Sequence, residues 1–78
     1  MDRNLAIQHF FDLNNNPYIS FEITKIEEKF SYKNDIGFLI HFIEIRAGEA
    51  FQGKYFISES TLRNNRINKI LNNGTNNN

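Results

Sequence analysis

The sequence predicts a small α+β domain, α-β-β-β-α, with a three-stranded antiparallel sheet and flanking helices. Three observations carry this. Apolar residues recur at helical spacing near both ends of the chain. Three runs between them alternate apolar and polar residues with a period of two. The turns joining those runs are too short for a parallel crossover, which needs a dozen or more residues. At 78 residues the chain is one domain at most. We place a single compact domain at residues 1–72 and a polar, Asn-rich tail at 73–78.

The first helix spans residues 2–13. Asp2 is a fair N-cap; Leu5, Ala6, Phe10 and Leu13 fall on one face, widened by Ile7 and Phe11. This face should cover one side of the sheet. Asn14, Asn15, Asn16 and Pro17 then break the helix. Residues 18–32 form the first strand. Ile19, Phe21 and Ile23 hold odd positions, whereas Ile26, Phe30 and Tyr32 hold even ones. A bulge near Thr24 and Lys25 absorbs that slip of one; a helical turn across Ile26–Phe30 is the rival reading.

Lys33, Asn34 and Asp35 make a turn. Residues 36–46 form the strongest strand, with Ile36, Phe38, Ile40 and Phe42 on one face and Leu39, Ile43 and Ile45 on the other. Apolar residues on both faces mark a central strand, or one covered by a partner. After a turn at Ala47, Gly48 and Glu49, residues 50–57 give a third strand with Phe51, Tyr55 and Ile57 on one face. Gly53 marks a bulge or a close approach. The last helix spans residues 59–72, capped by Ser58 or Ser60, with Leu62, Ile67, Ile70 and Leu71 apolar.

Composition narrows the function. Nine basic residues balance nine acidic ones, which argues against a strongly basic nucleic-acid coat and a strongly acidic DNA mimic. Zero net charge favours self-association or burial against a partner. There is no Cys, so disulfide scaffolds and Cys-ligated zinc are excluded. No apolar run approaches the roughly 20 residues of a membrane span, and a cytoplasmic protein is expected.

Catalytic motifs are missing. His9 and His41 are the only histidines, and neither belongs to an HExxH spacing. Glu27 and Glu28 are adjacent, so on a strand they point to opposite faces and cannot share a proton. No nucleophile elbow, Walker loop or dinucleotide fingerprint is present. We therefore expect no enzyme, no cofactor and no metal.

Two binding surfaces remain. Residues 54–78 carry four bases against one acid, while residues 1–53 carry eight acids against five bases. The run from Ile57 to Arg63 resembles the opening of a helix-turn-helix recognition helix, although the preceding helix of that motif is lacking. Arg63, Asn64, Arg66, Asn68 and Lys69 suit guanine, adenine or phosphate contacts. The second surface is the sheet. A three-stranded sheet has two edges that must be covered or charged. Lys25, Glu27, Glu28 and Lys29 can defend the first edge, and Tyr18, Tyr32 and Tyr55 add contact area of the kind enriched at interfaces.

The α-β-β-β-α order resembles that of small phage-encoded anti-CRISPR proteins of the Cas9-inhibitor kind. So does the run Tyr55-Phe56-Ile57-Ser58-Glu59-Ser60, leading from the last strand into a helix. The resemblance implies an inhibitor of a host defence protein or ribonucleoprotein complex, docking through Glu27, Glu28, Asp35, Glu49 and Tyr32. Those inhibitors tend to be acidic and to imitate phosphates. This chain is neutral with a basic last helix, so steric occlusion by a preformed surface is the expected mechanism. A nucleic-acid-binding module using the last helix is the alternative, and a homodimer burying the central strand is a third reading.

Overall fold

A computed structural model describes residues 2–64 of the chain. Its centre is the strand with apolar residues on both faces. This strand, β2 (Asp35–Arg46), lies between β1 (Ser20–Tyr32) and β3 (Glu49–Ser58) in an antiparallel meander of order β1-β2-β3. An N-terminal helix, α1 (Asp2–Leu13), precedes the sheet, and a short helix, α2, begins at residue 59 and is described to residue 64. The α+β class and element order are those the sequence predicts. The remainder of the helix predicted over 59–72, and the tail at 73–78, lie outside the described residues.

Local chemistry explains each boundary. Asn14 closes α1: its backbone N–H and its side-chain amide both donate to the Phe10 carbonyl, at 3.1 and 2.8 Å. Asn16 then starts a turn with Pro17 in second place. Its carbonyl accepts from Ile19 N–H at 3.2 Å, and its Oδ1 accepts from Tyr18 N–H at 2.9 Å. That turn holds Tyr18 out of the sheet, so β1 starts at Ser20 rather than at residue 18.

Both hairpins use two-residue loops, Lys33–Asn34 and Ala47–Gly48, with all four residues at positive φ (47, 67, 51 and 76°). This is the type I′ geometry, whose twist matches the twist of the strands. Asp35 and Glu49, expected in the turns, are therefore the first residues of β2 and β3.

β1 slips twice against β2. One register shift falls between Ile23 and Lys25, where the change of phase places it. A second falls between Glu27 and Phe30, with Lys29 at φ 54°. Residues 26–30 are thus strand with a bulge, and the helical-turn reading is corrected. A single left-handed residue takes up the extra length there.

Among the described residues, the buried side chains lie on one side of the sheet. Ala6 and Phe10 of α1 meet Phe38 and Ile40 of β2, Ile57 of β3 and Leu62 of α2. Phe10 stacks edge-on against Phe21 and at a tilt against Phe42, with centroids at 5.7 and 5.0 Å. The buried stripe of α1 is narrower than its apolar pattern: Phe11 and Leu13 remain 42% and 56% exposed. Gly53 is the site of a close approach, not a bulge. β3 pairs with β2 without a register shift, and the Phe42 ring lies where a Cβ on Gly53 would sit.

Candidate functional site

The helices cover one face of the sheet; the other face is built from the odd-numbered residues of β2. Pairing sets Phe30, Glu27 and Lys25 of β1 on one side of Leu39 and His41, and Phe56 and Lys54 of β3 on the other. Phe30, Leu39, Ile43 and Phe56 are half-buried on this face. Among the described residues no helix packs over them.

An aromatic cluster occupies one end of this open face. Phe56 lies 5.3 Å from Tyr32 and 6.2 Å from Phe30, centroid to centroid. Gly37 sits opposite both Phe30 and Ser58, so no β2 side chain separates the rings. Gly37 is required there by close approach, because a Cβ would lie 2.0 Å from the Ile57 carbonyl oxygen. Tyr32 is 47% exposed and carries the Lys33 ammonium 5.3 Å from its ring centre.

A histidine–carboxylate hydrogen bond lies in the middle of the face. His41 Nε2 donates to Glu27 Oε2 at 2.6 Å, linking diagonal neighbours on adjacent strands. The His41 hydrogen bond holds the Glu27 carboxyl below the ordinary carboxylate range. Partial burial works against it, and the Lys25 and Lys54 ammonium groups assist. The Thr24 hydroxyl donates to the His41 backbone carbonyl at 3.3 Å. Thr24, His41, Ile43, Gln52 and Lys54 border an open depression of about 480 Å³.

The residues singled out from sequence divide among several surfaces. Glu27 and Tyr32 share the open face. Glu28 points the other way, toward α1, and meets Arg3 at 3.7 Å. Asp35 opens β2 beside Tyr32, whereas Glu49 pairs with Arg46 at the far end of the same strand. The acids therefore do not form one patch. Arg63 and Asn64 are exposed on α2, with Arg63 3.9 Å from Glu59. Arg66, Asn68 and Lys69 lie outside the described residues.

Sequence reasoning did not anticipate the aromatic cluster or the His41–Glu27 pair. The signal for His41 was its shared parity with Leu39 and Ile43. The partner was hidden by the two bulges, which decide what β1 places beside it. Among the described residues, no helix is long and apolar enough to cross a membrane. No protein-family model, curated protein or solved structure matches the chain.

Proposed function

We propose that the chain is a non-catalytic protein-binding module whose open sheet face docks on a protein partner. The reading takes that partner to be a host defence protein of the CRISPR type, blocked by steric occlusion. The observation that carries it is the half-buried apolar face around Leu39 and Phe56, which none of the described residues covers. Exposed apolar patches with polar rims are characteristic of docking sites. Tyr and Phe supply large, stiff contact area there.

The charge pattern favours protein over nucleic acid. Glu22, Glu27 and Asp35 share this face with Lys25 and Lys54. A phosphate backbone asks for a contiguous positive surface, and a face of mixed sign suits a protein of mixed sign. The resemblance to anti-CRISPR proteins supports the inhibitor class.

The test uses the tagged full chain as bait in host lysate, with and without nuclease, and as an inhibitor of purified Cas9-type nucleases. One stoichiometric protein should survive nuclease. Its capture, and any inhibition, should be lost in the double variant Tyr32→Ser/Phe56→Ser and kept in Tyr18→Ser, with folding checked by circular dichroism. Capture that ignores the open-face variant refutes the assignment of the face. Capture that disappears with nuclease and with Arg63→Ala moves the function to α2 and nucleic acid.

A further inference from the structure

The two edges of the sheet are not equivalent. β1 carries two register shifts, a left-handed residue at Lys29 and consecutive charges at Glu27, Glu28 and Lys29. Bulges and charges are the usual means of keeping an edge from pairing. β3 has no bulge, no left-handed residue and no run of charges. It is ten residues long, pairs with β2 without a shift from Glu49 to Ser58, contains no Pro, and holds one charge, Lys54, in its interior. Among the described residues no strand lies on its outer side. Two large aromatics on its helix side, Phe51 and Tyr55, are 41% and 38% exposed.

We infer that β3 pairs antiparallel with β3 of a second copy, joining two sheets into one six-stranded sheet about a two-fold axis. The side chains of β3 favour its own image. Directly opposed residues in an antiparallel pair share a face, so the axis must pass through a residue position. Centring it on Gly53 sets Phe51 opposite Tyr55 of the second copy, twice over. Aromatic cross-strand pairs of this kind are stabilising. The same register sets Lys54 opposite Gln52 and Phe56 opposite Ala50. Centring on Lys54 opposes two ammonium groups, and centring on Gln52 opposes Phe51 to Gly53, which has no side chain to meet it. The formal net charge of zero removes long-range repulsion between copies. This contact uses the edge, leaves the open face free, and does not depend on the function proposed for that face.

The register makes a charge test possible at Gln52, an exposed residue. Sedimentation equilibrium of the full chain, from micromolar to millimolar, should show a monomer–dimer equilibrium. Gln52→Lys places two like-charge pairs across the contact and should weaken the dimer about 2- to 30-fold. Gln52→Glu should tighten it by a similar factor, and the swap Gln52→Lys/Lys54→Glu should restore it. Hydrogen exchange should show the outward-pointing, alternate amides within Phe51–Phe56 gaining protection on dimerisation. A folded monomer at every concentration overturns the inference. So does a dimer indifferent to the charge at residue 52 or one without new protection in β3. A monomer that captures a strand of another protein at this edge overturns the choice of a second copy.

Discussion

Gly37→Ala should destabilise the fold by about 2–4 kcal/mol, although it adds only one methyl group. The added Cβ would lie 2.0 Å from the Ile57 carbonyl oxygen and 2.6 Å from Ser58 Cα, both backbone atoms of β3. Neither can rotate aside, so β3 must move away from β2. Overpacking of this kind costs roughly 1–3 kcal/mol. The displaced Ser58 is also the N-cap of α2, whose Oγ accepts from Thr61 N–H at 3.1 Å, and weakening a cap adds about 1 kcal/mol. A domain of this length has a total stability of about 4–12 kcal/mol. At roughly 4–8 °C per kcal/mol, the midpoint should fall by about 8–30 °C in thermal unfolding followed by far-ultraviolet circular dichroism. Gly48→Ala is the control. Its φ is +76° and nothing lies within 4 Å of the added Cβ, so it incurs only the left-handed backbone term, about 1–2 kcal/mol. A Gly37→Ala protein within about 0.5 kcal/mol of wild type, or a ranking with Gly48→Ala the worse, would refute the close-approach argument.

Ser58→Ala should cost about 1 kcal/mol in urea unfolding, since Ser58 Oγ accepts from Thr61 N–H and donates to Thr61 Oγ1 at 2.7 Å. Ala47→Asn should stabilise by about 0.5–1 kcal/mol, because Asn tolerates the left-handed conformation Ala47 adopts at φ 51°; an unchanged urea midpoint would contradict this. The Glu27 carboxyl titrates lower in the folded chain than in the unfolded one. Its contribution to stability is complete above the unfolded carboxylate value and is lost as pH falls through the folded one. Thermal midpoints should accordingly drop more steeply with acid in wild type than in Glu27→Gln, and parallel curves would remove the pair from the stability account.

The fold was legible wherever one local rule decided it. The break at Asn14–Pro17 ends α1 at Leu13, as the spacing requires. The change of parity between Ile23 and Ile26 locates the first bulge. The second bulge was ambiguous because Glu27-Glu28-Lys29 has no apolar parity to read, and Lys29 is an unusual residue at φ 54°. That ambiguity carried into the site. Glu27 and Glu28 could be assigned to opposite faces, but which faced α1 depended on counting through both bulges. The arrangement of Phe30, Tyr32 and Phe56 was equally out of reach, since it needs the register of all three strands at once. Phe11 and Leu13 show the converse: they satisfy the helical pattern yet stay exposed, because periodicity states which side chains could be buried and not how wide the opposing surface is.

Helix length and strand parity together decide which parts of the sheet the described residues cover. β2 runs 12 residues, about 40 Å. α1 runs 12 residues, about 18 Å, and so spans less than half the strand's length on the side it covers. The described helical cover is consumed by Phe38, Ile40, Ile57 and their neighbours, while the parity of β2 places Leu39 and Ile43 on the side no described element reaches. An apolar face alone would attract any hydrophobic surface. The His41–Glu27 pair changes that, because a partner that covers it must leave it hydrated or supply its own hydrogen bonds, and burying it unsatisfied costs affinity. Under the docking function proposed above, discrimination on this face is assigned to the His41–Glu27 hydrogen bond and adhesion to the aromatic end. The two should separate experimentally: His41→Phe/Glu27→Leu is expected to bind a broader set of proteins than wild type, whereas Tyr32→Ser/Phe56→Ser is expected to bind fewer. Unchanged selectivity in the first variant would mean that the His41–Glu27 hydrogen bond only fastens β1 to β2.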